Sequence, residues 1–301
     1  MIRNQITLKQ IEALVAVADL GTFRKAATAL GTTQPNVSVR IAALETTLGV
    51  VLMRRDAGSV RLTETGEEVL EIARGILQGA ERLLEVTARQ DLITDQLRLG
   101  VTELIAGTWL HSYLRALKQT YPSLRISLTV DLSAEIEKHL SAGALDLAIS
   151  NGPYPNPALV STPLDDYRYG WVTTPEMAAA LGPNASLPDM LARGLLSHGK
   201  NTAASVALRD HLTAEGLPPD QVVHANSLTA LMHMAADGFG IAALPRQLYK
   251  PQLAAERLVE VPYAWSPHPL KFYTCYHKDR AALYVRRAAA LSLEIAQQSR
   301  Q

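Results

Sequence analysis

Hydrophobic positions in the first third of the chain recur at helical spacing. Ile11, Leu14, Val15 and Ala18 form one stripe, and Val37, Ile41, Leu44 and Leu48 form another at i, i+4, i+7 and i+11. Each run carries its own start and stop. Thr7 opens the first helix with Gln10 three positions on, a capping-box spacing, and Gly21 closes it. Thr22 caps "FRKAATAL", whose Ala26, Ala27 and Leu30 permit close packing, and Gly31 ends it. Thr33 caps the third helix, with Pro35 in the first turn where no backbone N–H is missed. A tight two-helix turn followed by a longer amphipathic helix is the helix-turn-helix pattern. A small helical bundle with no partner satisfies the same spacing.

The outer face of the third helix is unusual. Asn36, Val39, Ala42, Ala43 and Thr46 lie opposite the apolar stripe, after the hydrogen-bonding Thr32, Thr33 and Gln34. Solvated helix faces usually carry Glu and Lys; this one is short-chained and nearly uncharged. Next, "VVLMRRDAGSVRLT" (50–63) reads as two short strands around a turn at Asp56, Ala57 and Gly58, a wing bearing Arg54, Arg55 and Arg61.

Residues 63–90 then read as one long helix opened by a Thr65/Glu68 capping box. Two parallel stripes run along it. Val69, Ile72, Ile76, Gly79, Leu83 and Val86 form one, and Leu70, Ala73, Leu77, Ala80 and Leu84 the other. A band that wide on a lone helix calls for a partner, most economically the same helix of a second subunit.

From about residue 96 the texture changes to alternating strands and helices, the pattern of parallel α/β units. "LRLGV" (97–101), "LRISLTV" (124–130) and "LDLAIS" (145–150) are strands, with helices beginning near Ile105 and at Ser133. A second series follows in "YGWVTT" (169–174), "GLLSH" (194–198), "VVHAN" (222–226) and "GIAALP" (240–245), with helices near Thr202 and Ser227. "LKFYTCYH" (270–277) and a helix from Arg280 to about Gln298 come after a Pro-rich crossover and are expected back on the first lobe. The fold class is α+β and multidomain. A winged helix-turn-helix spans 1–62, a linker and dimerisation helix 63–90, and a two-lobed α/β domain 91–301. Lobe I takes about 91–164 and 266–301, and lobe II about 165–265, with a cleft between them.

Charge sharpens this division. The chain is neutral overall, yet residues 1–62 hold eight Lys/Arg against four acids, and residues 63–90 three Arg against six Glu. A basic head on a neutral body suits a polyanion at the head alone. The single cysteine, Cys275, excludes an intrachain disulfide framework and fits a reducing compartment. The start lacks an apolar signal-type segment, and no apolar run approaches about 18 residues, so a cytoplasmic, non-membrane protein is expected.

Catalytic signatures are missing. No G-x-S-x-G, H-E-x-x-H or P-loop motif occurs, "GFG" (238–240) precedes a strand, and the eight histidines show no metal-ligand spacing. No enzyme activity, metal or cofactor is therefore expected. The cleft offers more, because ligands of α/β sheets sit outside the carboxyl ends of strands. Those positions hold Thr102, Glu103, Ser133, Ser150, Asn151, His198, Lys200, Thr202, Asn226 and Ser227. Hydroxyls, amides and helix N-terminal N–H groups make an anion-friendly pocket, with Lys200 and Arg168 as nearby positive charge. A small carboxylate is the expected ligand, although Ser, Thr and Asn at helix starts also serve simply as caps.

The head resembles the LysR-type transcriptional regulators. The matching elements are Gly21-Thr22-Phe23, Ala26-Ala27, Thr33-Gln34-Pro35, Ser38, Ile41, Leu44-Glu45, Leu48-Gly49, Leu52 and Leu62-Thr63-Glu64-Thr65-Gly66. The long helix and "GFGIAALP" extend the resemblance along the chain. It implies an effector domain like a two-lobed periplasmic binding protein, and a homotetramer on double-stranded promoter DNA that responds to a small inducer. Activation would bring RNA polymerase in as a further partner. Carried over, Thr33, Gln34, Pro35, Asn36, Ser38 and Arg40 fall on the recognition helix, and Thr102 on the effector pocket. Thr22, Arg24, Thr32, Arg54 and Arg55 complete the expected DNA-binding set.

Departures from the family pattern are specific. Val39, Ala42 and Ala43 stand where many relatives carry Arg, Gln or Lys, and Met53 replaces the usual phenylalanine before the wing. Glu103 puts a negative charge beside the pocket, either to pair with Lys200 or to select a ligand bearing an amine. A solute-binding protein or two-lobed enzyme with a helical arm is the alternative from another class.

Overall fold

The computed structural model describes residues 5–56 and 59–299. The expected turn residues Ala57 and Gly58, the chain ends and the side chain of Arg55 lie outside what is described. The head is built from α1 (Leu8–Leu20), α2 (Phe23–Ala29), α3 (Gln34–Leu48) and a two-stranded wing, β1 (Met53–Asp56) and β2 (Ser59–Leu62). Its caps are those the sequence predicts. Thr7 and Gln10 close a reciprocal capping box, and Thr22 and Thr33 cap α2 and α3. Gly21 ends α1 at φ 72°, a left-handed position suited to glycine.

Val37, Ile41 and Leu44 of α3 pack with Ile11, Leu14 and Val17 of α1, Phe23 of α2, and Leu52 and Met53 before and in the wing. Leu48, expected in the stripe, is instead exposed in the last turn of α3, where the helix has run past the core.

The long helix α4 (Glu64–Val86) is capped by Thr63, whose Oγ1 accepts from Gly66 N at 3.0 Å, and not by the expected Thr65/Glu68 box. The wing sets this register. Thr63 N donates to Leu52 O at 3.0 Å and Thr63 Oγ1 donates to Val51 O at 2.8 Å, so the helix starts where the wing ends. One stripe of α4 packs within the chain: Leu70 and Ala73 are buried and Leu77 packs on the head core. The other, at Ile72, Ile76, Leu83 and Val86, is bare, with Val86 82% exposed.

The remaining chain forms two five-stranded sheets. The first has the order β4-β3-β5-β12-β6, with β3 (Gln96–Val101), β4 (Arg125–Val130) and β5 (Leu147–Asn151) parallel and β12 (Leu270–His277) antiparallel between β5 and β6. The second has the order β11-β7-β10-β8-β9, comprising β7 (Tyr169–Thr173), β8 (Leu195–His198), β9 (Val223–Ala225), β10 (Ile241–Pro245) and β11 (Val259–Glu260). β12 returns to the first sheet as expected.

β6 (Leu159–Tyr167) was not anticipated, because Pro163 and two aspartates interrupt its apolar pattern. It is an edge strand, where a missing N–H is tolerated, and the register shifts by a bulge opposite Phe272/Tyr273 where Leu164 is the extra residue. Because β6 runs on to Tyr167, the first crossing between lobes falls at Arg168, a few residues later than residue 164. Helix α11 (Leu228–Ala236) contributes Leu228, Leu231 and Met232 to an apolar cluster that also holds Leu99 and Ile105 of lobe I and Leu244 and Leu248 of lobe II. The lobes are thus in apolar contact.

The head and linker also dock on lobe I. Asp19, at the end of α1, accepts from Arg74 of α4 at 2.5 Å and lies 3.5 Å from Arg280. Glu81 of α4 accepts from Leu283 N, at the start of α13 (Leu283–Gln298), at 2.5 Å. Two residues define a further tie at lobe I's base, where Arg98 grips Asp146 through both carboxylate oxygens.

Candidate functional site

The N-terminal turn of α3 presents Thr33, Gln34, Pro35 and Asn36 to solvent, followed by Val39, which is 65% exposed, then Ala42 and Thr46. The Asn36 amide donates to Thr32 Oγ1 at 3.2 Å, which joins the turn before α3 to its first face. Gln34 makes no side-chain bond among the described residues, so both ends of its amide are uncommitted. Ser38 and Arg40 are half-buried at the sides of this face. Arg40 lies near Glu12 of α1, whose carboxyl burial pushes up, Asp95 raises further and Arg40 draws back down.

Arg24 of α2 and Arg54 of the wing are exposed and form no ion pair among the described residues; Thr22 is half-buried at the cap of α2. Thr33, Gln34, Pro35 and Asn36 thus stand exposed on the first turn of α3, with Thr32 half-buried before it and Arg24 and Arg54 exposed on α2 and the wing. Arg40 is at the margin of the α3 face. The middle of the face, at Val39, Ala42 and Ala43, is aliphatic.

The wing is locked to α3 from behind. Glu45 Oε1 accepts from Leu52 N at 2.8 Å and Met53 N at 3.2 Å, so the carboxylate of α3 holds the entry to β1. Met53 packs in the head core, so its replacement of phenylalanine is a packing matter.

At the cleft, the sequence-predicted positions divide into distinct groups. Thr102 and Glu103 begin α5 (Glu103–Ala106) at the end of β3. Thr102 is only 8% exposed and its Oγ1 has no hydrogen-bond partner among the described residues. Glu103 reaches across to lobe II. Its carboxylate accepts from Ser227 Oγ at 2.8 Å, Leu228 N at 2.7 Å and Thr229 N at 3.1 Å, at the start of α11. Burial alone would raise this carboxyl, but those donors hold it below its ordinary value.

His198, at the end of β8, has a buried Nε2 with no partner. Burial lowers its pKa below that of a free imidazole, opposed by its bond to the Asn226 backbone and by the nearby Glu103 charge.

Other predicted residues are occupied elsewhere. Ser150 is fully buried and bonded to Tyr154, and Ser133 donates to Asn151 Oδ1 at 3.1 Å. Thr202 caps α10 (Ala203–Ala214) and donates to His198 O at 2.6 Å. Asn226 is exposed at the end of β9. Lys200 does not pair with Glu103. It lines a cavity of about 290 Å³ on lobe II with Ser205, Arg209 and His224. Thr102, Glu103, His198 and Ser227 are the predicted residues that the structure brings toward one another between the lobes.

Residues 90–296 match the LysR substrate binding domain, and residues 8–67 match the bacterial regulatory helix-turn-helix protein, lysR family. The chain belongs to the LysR family of transcriptional regulators. This LysR-type regulator is 33% identical over 248 residues to a probable hydrogen peroxide-inducible genes activator from Streptomyces viridosporus, a match covering 81% of this chain and 78% of that protein. It is 28% identical over 285 residues to the transcriptional regulator CbbR of Cereibacter sphaeroides, covering 92% and 90%. Among solved structures, full-length LysG from Corynebacterium glutamicum with bound effector Arg has a TM-score of 0.62 at 20% identity, covering 97% of this chain and 99% of that one. That likeness is one of fold.

The LysR-type regulator is thus a DNA-binding transcription regulator with an effector-binding domain, and not an enzyme. Sequence reasoning placed Ser227 at the cleft only as a strand-end position. It missed Leu228 and Thr229, whose backbone N–H groups no side-chain pattern advertises, although the Thr229 side chain also draws the Glu103 carboxyl down. The signal that was available is Ser227 as a cap on lobe II facing a carboxylate on lobe I. Among the described residues, no helix is long and apolar enough to cross a membrane.

Proposed function

We propose that this regulator reads promoter DNA in the cytoplasm with the start of α3 and tunes that binding through a small carboxylate held between its two lobes. The observation that carries the DNA reading is the nearly uncharged outer face of α3, where the Gln34 amide makes no bond among the described residues, together with the exposed Arg24 and Arg54, which form no ion pair among them. Gln34, Asn36 and Ser38 approach base edges, while Arg24 and Arg54, with Arg55 on the same wing, approach phosphates. In this reading 1–62 is the DNA-binding head, 63–90 the linker and 91–301 the effector domain.

Binding of promoter fragments across a salt series tests it. Gln34→Ala is expected to cost roughly 1–3 kcal/mol on the cognate site and little on random DNA, whereas Arg54→Ala should weaken both and reduce the salt slope by about one. Unchanged affinity in both variants removes this face from the interface.

Two apolar surfaces support a tetramer assembled as a dimer of dimers, with RNA polymerase contacted if the regulator activates. One is the bare stripe of α4. The other comprises Leu128, Val130 and Leu132 at β4 and Val206 and Val223 at α10 and β9, where β4 and β9 are edge strands of opposite lobes.

The carboxylate reading rests on helix starts that converge between the lobes, with the unpartnered Thr102 Oγ1 and His198 Nε2 among them. A thermal-shift screen of metabolites should raise the melting temperature with carboxylates; stabilisation by neutral or cationic compounds alone defeats this reading. Redox sensing, suggested by the relative named a probable hydrogen peroxide-inducible genes activator, has less support. Burial pushes the Cys275 thiol up to about 11, and it donates to Ser161 Oγ at 3.3 Å, so little reactive thiolate is present at neutral pH.

A further inference from the structure

The start of α11 already holds a carboxylate, and that carboxylate belongs to the protein. Glu103 crosses from lobe I and satisfies Ser227 Oγ, Leu228 N and Thr229 N at once, at 2.8, 2.7 and 3.1 Å. Three convergent donors at the positive end of a helix make a seat whose shape and charge fit a carboxylate. Beside it, Thr102 begins the turn that carries Glu103. It is 8% exposed, and its hydroxyl neither caps α5 nor finds a hydrogen-bond partner among the described residues. A buried hydroxyl without a partner is costly unless something completes it. From lobe II, His198, close enough to sense the Glu103 charge, adds a second buried polar atom, Nε2, without a hydrogen-bond partner among the described residues.

We propose that the α11 N-terminus is the carboxylate seat of the effector and that Glu103 is its resident competitor. The proposal rests on the reading of a carboxylate effector in the cleft and gives it a location and a price of entry. With Glu103 seated, the two lobes are tied by the protein's own side chain. An arriving carboxylate takes over the three donors and releases Glu103 to solvent, and the rest of the ligand meets Thr102 and His198. Ligand entry therefore exchanges an inter-lobe tie for a ligand-mediated one. A tethered carboxylate competes at an effective concentration on the millimolar scale, so weak carboxylates in solution lose to it and only a ligand with further contacts wins. Glu103 thereby sets the threshold of the response and excludes simple acids.

Removing the competitor exposes the seat. Glu103→Ala deletes a methylene and a carboxylate, which acetate replaces atom for atom. In the full-length protein at constant ionic strength, with chloride as the control, acetate should raise the melting temperature of Glu103→Ala and leave the wild type unmoved. The apparent acetate affinity of the variant should exceed that of the wild type by about tenfold or more, the factor by which an occupied seat reduces binding. Adding Ser227→Ala should weaken the acetate response several-fold, because the hydroxyl donor is gone. Glu103→Gln, which keeps the side chain's shape with one acceptor oxygen and no charge, should fall between, and it serves if the alanine variant does not fold.

Equal acetate responses in wild type and both Glu103 variants overturn the proposal, as does a response indifferent to Ser227→Ala. If a metabolite carboxylate stabilises the wild type while acetate moves neither variant, the effector reading stands and this seat falls. If acetate rescues the variants but carboxylates never affect promoter binding, the seat stands and the carboxylate-effector reading falls.

Discussion

Gly66→Ala is expected to unfold the DNA-binding head while leaving the two-lobed domain folded. Gly66 lies in the first turn of α4, where alanine would ordinarily improve helix stability by about 1 kcal/mol. Here the added Cβ would sit 2.1 Å from Leu52 O and 3.0 Å from the carbonyl carbon itself. That carbonyl cannot swing aside. It accepts from Thr63 N, its own N–H is held by Glu45, and the Leu52 side chain is fully buried in the head core. Relief requires moving the wing away from the linker helix, and such overpacking against backbone costs roughly 3 kcal/mol or more. A head of this size has few kcal/mol to lose. Calorimetry should show the head transition lowered or absent and the effector-domain transition near its original temperature, with promoter affinity down by about 100-fold. A variant with wild-type affinity and melting would mean that the wing tolerates displacement.

The second large effect concerns Glu81 and pH. This carboxylate of the linker helix accepts from Leu283 N, at the start of α13, where Ala282 supplies no side-chain cap. Burial pushes its pKa up from 4.5 to about 7; the Leu283 and Tyr284 N–H groups pull it down, and the charges of Asp95 and Glu85 push it further up. Arg287, the nearby cation, is paired with Glu85 at 3.2 Å.

Because the folded value lies above the unfolded one, the folded chain holds the proton more tightly. The stability linked to Glu81 is complete below about pH 4.5 and is lost as pH rises through about 7. A shift of that size corresponds to at most about 3 kcal/mol. Glu81→Gln keeps an acceptor for Leu283 N without the charge. It should therefore melt higher than the wild type at pH 8, with the difference shrinking toward pH 5. Parallel pH profiles of the two proteins would falsify this assignment. The contact couples the linker helix to the C-terminal helix of the effector domain, so the same variant reports on how firmly the two move together.

The head was legible because its information is local. A Thr cap, a glycine stop and a stripe at helical spacing each act within one or two turns, and α1 to α3 obey them. Where a local rule met a longer-range contact, the contact prevailed. Thr65 and Glu68 have capping-box spacing, but the bonds of Thr63 to Leu52 and Val51 start α4 two residues earlier. The Gly66 of the family motif likewise has its reason in a carbonyl fourteen positions back. β6 was illegible because an edge strand need not alternate cleanly and can carry a proline.

The effector cleft shows the limit most plainly. Chain position alone marked Thr102, Glu103, His198 and Asn226 as strand-end residues, and it admitted Ser150 and Lys200 on the same terms. Burial and hydrogen bonding separate them: Ser150 is spent on Tyr154, Lys200 faces another cavity, and Glu103 meets α11 rather than Lys200.

What the sequence by itself determined is therefore the three helices of the head with their caps, the strands of the two sheets other than β6 and β11, and the short, nearly uncharged face of α3, all of which follow from residue type and period. Only the tertiary structure decided which stripe of α4 is covered and which strand ends face one another. It also placed a carboxylate from lobe I on the start of a lobe II helix. Glu103 and Ser227 are 124 positions apart, and their meeting depends on how two sheets pack across a crossing, a relation that no periodicity along the chain encodes.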